Sequence, residues 1–551
     1  MKTGSPGERR KLRPDPKPPA NRRPCAGWAA ALALWLIGGL ILLPLFLPVL
    51  NADGVSYVSL AEKYARGEFR DAVNGYWGPL ISWMMAPLIA AGVLPWAAAR
   101  IVLLAAGPLL LWAVRRLARI LEIEEPLATI LLIGTVPIGL YMVFTMITPD
   151  FPVAAILLAY LAVFLDPRFP RGWAGGAVCG LLGALAYFAK PFAFFFFLAH
   201  FTAGLGLRWL FRRDAAERRR LVSAGFSGLL VFAVLTGAWI GLISAKYGHL
   251  LVNSSGRYNL AYLRPGSIGQ PAQTQGFLAP PNPTAVSAWE DPSLIPLTRW
   301  NPFESAMDRA HYGRLLWRNA KDFVRSLDDF SLLGPLIYLA AAGLFIVGLI
   351  RRYPPPRIRL LSALFATSVL YSAGYLLLLV EDRYLWLDDF LLAILGTGMI
   401  SFAGSRFRIR RIGSAVLGAV LLASFMILPV RLFPRYDAIS TSETLIPARG
   451  MHEFALWLGR TYHLRGSFAS NRRWNESMFI GALGRMPYYG VVDPEADGRE
   501  IEAALRRSGI RYFFRWRDQD PRFGFLDKYV ELTKGEIKDL KIYLMKTVPW
   551  E

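Results

Sequence analysis

The chain has 551 residues, of which 54% are hydrophobic, 13% aromatic and only 19% charged, and its mean hydropathy is +0.35. This balance excludes a soluble globule and predicts an α-helical polytopic membrane protein. The formal charge of +22 lies in short Lys/Arg clusters between apolar runs, which speaks against a nucleic-acid partner and for positive-inside retention beside membrane lipids.

Residues 1–26 carry Arg9, Arg10, Lys11, Arg13, Lys17, Arg22 and Arg23 among prolines and are expected to be a disordered cytoplasmic tail. The apolar run 27–50 is longer than the core of a signal peptide and has no small-residue cleavage site, so it reads as an uncleaved first span. Ten apolar runs follow at 96–114, 127–147, 151–166, 172–189, 191–209, 221–243, 331–350, 358–380, 386–404 and 412–431, making eleven spans over 27–431. Starting inside, alternation puts Arg115–Arg116, Arg168–Arg171, Arg208–Arg220, Arg351–Arg359 and Arg406–Arg411 all in the cytoplasm. The apolar stretch 79–94 cannot be a further span without expelling Arg115, Arg116 and Arg119. It reads as an interfacial or re-entrant helix, with Trp83, Tyr76 and Trp77 suited to the headgroup layer.

Three regions then lie outside. Loop 51–95 holds a helix over Ser56–Arg66, where Tyr57, Leu60, Ala61 and Tyr64 recur at helical spacing. Loop 245–330 is rich in Pro and Gly and irregular, apart from a helix near 304–326. Residues 432–551 form a small extracytoplasmic α/β domain, with helical Met451–Arg460 and Arg499–Ser508 alternating with extended Met486–Val492 and Ile510–Trp516. Cys25 and Cys179 are too few for a disulfide or zinc framework.

On this topology the ionisable residues outside the basic clusters gather at the outer membrane boundary. Asp53 follows the first span, and Thr148-Pro149-Asp150, Lys190-Pro191 and Glu381-Asp382-Arg383-Tyr384 each join two spans. Both signs of charge at one interface suit chemistry on a phosphate and a hydroxyl, with Asp53 as the carboxylate, given defined surroundings by the Gly54 and Tyr57 that follow it. Plainer roles exist for each: Asp53 or Asp150 as a helix cap, Lys190 as a snorkelling side chain, Glu381 and Arg383 as partners of each other. His200 and His249 have no metal partner at usable spacing, so no metal site is assigned. Asn253-Ser254-Ser255 and Asn475-Glu476-Ser477 match a glycosylation pattern that is common by chance, and Phe194–Phe197 reads as a lipid-facing or tail-binding wall. No glycine-rich phosphate loop, Ser-His-Asp arrangement or ATP site stands out, so nothing in the sequence suggests energy from nucleotide hydrolysis.

Asp53-Gly54 with Tyr57 and Ala61-Glu62, Tyr76-Trp77-Gly78-Pro79-Leu80 with Trp83, Thr148-Pro149-Asp150, Lys190-Pro191 and Glu381-Asp382-Arg383-Tyr384 together resemble the GT-C glycosyltransferases. Within these, the bacterial relatives of protein O-mannosyltransferases and of lipid A aminoarabinose transferases are most similar, over the membrane part up to about residue 405. Many relatives carry Lys-Pro-Pro ahead of the interfacial helix, where this chain has Tyr76-Trp77-Gly78-Pro79 and no lysine.

The resemblance implies an inverting transfer of a sugar from a polyprenyl-phosphate donor to a lipid, glycan or protein acceptor on the extracytoplasmic face of a bacterial inner membrane. Asp53 maps to the family's catalytic carboxylate, with Asp150 the next candidate. Lys190 and Arg383 map to the donor phosphate, with Tyr57, Glu381 and Tyr384 in support. The family's need for a divalent cation varies, so none is assigned. The competing readings are a lipid or polysaccharide transporter, whose charges would sit nearer the midplane, and an inactive assembly partner.

Overall fold

The computed structural model describes residues 26–170, 172–351, 354–408, 410–432, 448–517 and 520–545. Residues 1–25 of the expected tail 1–26 therefore lie outside the described residues. The first span is α1, Ala26–Phe46, followed by α2, Ala52–Arg66, the short α3, Phe69–Ala72, and α4, Leu80–Ala90. The bundle continues through α5 (Pro95–Ala105), α6 (Gly107–Ile120), α7 (Glu125–Thr145), α8 (Asp150–Phe164), α9 (Trp173–Ala189), α10 (Ala193–Phe211) and α11 (Ala215–Tyr247). The long loop holds α12 (Ser255–Leu263), α13 (Pro271–Thr274) and α14 (Ala306–Phe330), and the bundle closes with α15 (Gly334–Ile350), α16 (Pro356–Leu376), α17 (Trp386–Phe407), α18 (Arg411–Ala423) and α19 (Ile427–Leu432).

Every apolar run of the sequence is helical. Among the described residues, seven helices are long and apolar enough to cross a membrane, and α14–α15 passes that test only as a pair bent by 110°. α8 and α9 are shorter, at 15 and 17 residues. α8 is buried along nearly its whole length, as is most of α17, so both form the centre of the bundle; a helix apolar all round is stable only in that position.

α4 spans about 16 Å at the rise of an α-helix, half of a hydrocarbon core, which agrees with a helix that does not cross. Trp83 is partly exposed and also packs inward. Its ring meets Phe188 and Trp239 edge-on at 5.4 and 5.3 Å and pins α4 against α9 and α11.

The C-terminal unit adds α20 (Ala448–Tyr462), α21 (Trp474–Gly484) and α22 (Gly498–Arg507) to a sheet of β1 (Phe468–Ser470), β2 (Tyr488–Val491), β3 (Tyr512–Trp516), β4 (Val530–Glu531) and β5 (Leu540–Leu544). The strand order is β2-β1-β3-β5-β4, with β1 parallel to β2 and β3 and the β3–β5 and β5–β4 pairs antiparallel. Both expected strands and both expected helices are present; β1, β4, β5 and α21 are additional.

Loops 51–95 and 245–330 and the C-terminal unit share one apolar core. Tyr57, Ile81 and Met85 of the first loop pack in the same cluster as Phe468, Met478, Tyr488 and Trp516. The long loop joins this body through backbone bonds from Tyr488 N to Val286 O and from Leu278 N to Tyr489 O, at 2.7 and 2.8 Å. These bonds cover the β2 edge, which would otherwise present open backbone groups.

Candidate active site

Asp53 stands in the first turn of α2, where the helix dipole favours a carboxylate. The preceding Asn51 does not cap α2 with its side chain. Its amide instead brackets Ile147, accepting from the Ile147 N–H at 2.8 Å and donating to the Ile147 carbonyl at 3.4 Å. This clamp fixes the 146–149 connection, and with it Asp150, against the start of α2. Gly54 makes the approach possible: a Cβ there would lie 2.8 Å from Asn51 Oδ1 and from Ile147 Cβ.

Lys190 ends α9 in an extended conformation, as the following Pro191 requires. Its ammonium donates to Asp150 Oδ1 and sits 3.6 Å above the Tyr384 ring, which stacks on Tyr375. Gly78 brings the Tyr76–Pro79 corner to this point, since a Cβ would fall 2.3 Å from the Ala189 carbonyl oxygen. Arg383, in a 3-10 turn over Asp382–Leu385, donates from Nη1 to Asp53 Oδ2 at 2.5 Å and from Nε to Glu381 Oε2 at 2.8 Å.

All seven residues singled out from the sequence thus converge. Asp53, Tyr57, Asp150, Lys190, Glu381, Arg383 and Tyr384 line one cavity of about 1130 Å³. The plainer expectation that Glu381 and Arg383 pair with each other holds, but Arg383 reaches Asp53 as well. Burial beside Asp53 drives the Tyr57 phenol well above its usual range and keeps it protonated.

Several contributors were not foreseen. Trp289, from the long loop, donates its indole N–H to Asp53 Oδ1 at 3.2 Å, so both carboxylate oxygens are engaged. Its own backbone is fixed on the first loop, where its carbonyl accepts from Ser56 Oγ at 3.0 Å and Trp77 Nε1 at 3.1 Å. The C-terminal unit sends Trp474 and Asn475 into the wall, and the long loop sends Asn253, so both glycosylation-pattern asparagines line the cavity. A Trp between Ser287 and the acids Glu290 and Asp291 inside a proline-rich loop was the available signal, because such loops carry function. Asp388 and Asp389 at the start of α17 are buried outside the cavity, Asp388 accepting from Ser372 Oγ at 2.7 Å. Among the described residues no three His, Cys, Asp or Glu side chains converge as a metal site.

No family model matches the chain, and no curated protein is similar to it by sequence. Solved structures are similar. ArnT from Cupriavidus metallidurans bound to undecaprenyl phosphate superposes with a TM-score of 0.55 at 13% identity, over 94% of this chain and 98% of that one. The oligosaccharyltransferase AglB from Archaeoglobus fulgidus, in complex with an inhibitory peptide and a dolichol-phosphate, gives 0.51 at 11% identity over 88% and 69%. The Archaeoglobus fulgidus oligosaccharyltransferase with Zn and sulfate gives 0.52 at 12% over 88% and 68%. At these identities the likeness is one of fold: this is a multi-span membrane protein with the GT-C architecture.

Proposed function

We propose that the chain is an integral-membrane glycosyltransferase that moves a sugar from a polyprenyl-phosphate donor to a hydroxyl acceptor, with inversion, at the extracytoplasmic face of a bacterial plasma membrane. The observation that carries this reading is the order of the cavity walls. Phe192, Phe195, Leu379 and Val380 form an apolar part, Lys190 and Arg383 a cationic part, and Asp53 stands beside them under Trp289. Tail, phosphate and reacting sugar of a lipid-linked donor have the same sequence of chemistries. That structures of this fold hold undecaprenyl phosphate and dolichol-phosphate supports the same ligand class.

In the step we infer, the acceptor oxygen attacks the anomeric carbon as its proton passes to the Asp53 carboxylate. The bond from that carbon to the phosphate oxygen breaks, and polyprenyl phosphate leaves with its charge held by Arg383 and Lys190. An arriving phosphate competes with Asp53 for Arg383. Asp150, 3% exposed and paired with Lys190, serves in this reading to hold that cation, and Glu381 steadies Arg383.

Undecaprenyl phosphate binding tests the phosphate site. A charge-assisted contact contributes about 1.5 to 3 kcal/mol, so Lys190→Ala and Arg383→Ala should each weaken binding by roughly tenfold or more. Unchanged affinity in both folded variants would remove these residues from the site.

The orientation is tested by thiol labelling of intact cells, in a background of Cys25→Ser and Cys179→Ala. Thr284→Cys and Arg507→Cys, both at exposed positions, should react with an impermeant reagent, and Ala215→Cys should not. Labelling at 215 with protection at 284 and 507 would invert the topology.

A further inference from the structure

One wall of the cavity has a different chemistry from the rest. From α12 and α13 it receives Asn259 and, from the start of α13, Gln270 and Gln273, and the rings of Tyr76, Trp289 and Trp474 stand beside them. Among the described residues the side-chain amides of Asn259 and Gln273 have no hydrogen-bond partner within the protein, and Gln270 Oε1 is buried without one. Asn259 and Gln273 are partly exposed, but a buried amide oxygen is ordinarily satisfied, so the orphaned Gln270 Oε1, with two further unengaged amides on the same wall, points to a ligand that both donates and accepts.

Charge narrows the class of ligand. No charged side chain of the 255–274 segment lines the cavity. The lining cations, Lys190, Arg383 and Arg325, lie on the other segments and each already pairs with a carboxylate: Asp150, Asp53 with Glu381, and Asp322. A phosphate on an acceptor would meet no cation on the amide wall, and a charged peptide side chain no counterion. Hydroxyl groups match side-chain amides in both donor and acceptor capacity, and the C–H faces of a sugar ring pack on aromatic rings. Trp289 belongs to this wall and also holds Asp53, so a hydroxyl bound here lies next to the base.

We propose that the amide–aromatic wall is the acceptor subsite and that it takes an uncharged saccharide, with the C-terminal unit completing it through Trp474. This inference rests on the transferase reading for its acceptor role but not for its ligand chemistry. In the donor reaction it names the attacking group as a sugar hydroxyl.

The test uses the full chain in nanodiscs saturated with undecaprenyl phosphate and measures binding by saturation-transfer NMR. The probes are mannotriose, arabinotriose, rhamnotriose and cellotriose, a glucosamine disaccharide 1,4′-bisphosphate, and a Ser/Thr-rich decapeptide. At least one neutral trisaccharide should bind, and the Asn259→Ala/Gln273→Ala double variant should weaken it by about tenfold while undecaprenyl phosphate affinity, the control for folding, is unchanged. The proposal is overturned if no neutral trisaccharide binds, if the double variant binds it as well as the parent does, or if the bisphosphate or the peptide binds instead and depends on the amides. Failure of the transferase reading is a separate result: trisaccharide behaves as expected, but Lys190→Ala and Arg383→Ala leave undecaprenyl phosphate binding untouched.

Discussion

Asp53→Asn should slow sugar transfer by roughly a hundredfold or more without weakening donor binding. The substitution keeps the size of the side chain and removes its basicity. It also changes the hydrogen bonding in a defined way. The carboxylate accepts from Trp289 on one oxygen and from Arg383 on the other, whereas the amide has a single acceptor to offer these two donors. Arg383 keeps Glu381 as a partner at 2.8 Å, so it is not left as an uncompensated charge and the fold should tolerate the change. Freed from Asp53, Arg383 is more available to a phosphate, and undecaprenyl phosphate should bind as tightly as to the parent or more tightly. Both quantities are read on purified protein, with lipid binding as the control for folding. Transfer at the parent rate would end the assignment of Asp53 as base and make Asp150 the next carboxylate to test.

What the sequence made legible was set by short tethers. Asp150, Lys190 and Arg383 each sit on a connection of a few residues between apolar helices, so their depth and side followed from the spans, and their convergence on one cavity agrees. The spans themselves could be read because burial in a bundle or in lipid demands continuous apolar helices. What could not be read depended on contacts across long separations. Trp289 reaches Asp53 only because the long loop folds back over α2, and nothing in local pattern encodes that. Lys63 carries no mark in the local pattern of α2, yet it is fully buried. The strands β1 and β4, of three and two residues, are too short for alternation to register. The packing of Trp83 on Phe188 and Trp239 likewise depends on two helices far along the chain and has no local signal.

Breaking the Lys63–Glu290 pair should be among the most destabilising single changes in the outer body, and it should reach the base through Trp289. The two groups are 0% and 2% exposed and 2.8 Å apart. Ser59 Oγ donates to Glu290 Oε2 at 2.5 Å, and the Asn74 amide donates to the Glu290 carbonyl at 2.7 Å, so the residue beside Trp289 is anchored from α2 and from the first loop at once. Glu290→Ala would leave the Lys63 ammonium buried without a counterion, at a cost of about 3–5 kcal/mol. Thermal unfolding in detergent should shift down sharply, and transfer should fall with kcat more than with donor KM, since the displaced group holds Asp53 and not the phosphate. Lys63→Met with Glu290→Met replaces both charges by apolar groups of similar length and should recover most of the lost stability, because a well-packed apolar pair replaces a buried ion pair at little net cost. The double-mutant cycle therefore separates the two contributions: a strongly non-additive result identifies the ion pair itself. Two additive and small single effects would show that residues 287–291 are held by their other bonds, and that the buried pair has no part in presenting Trp289 to Asp53.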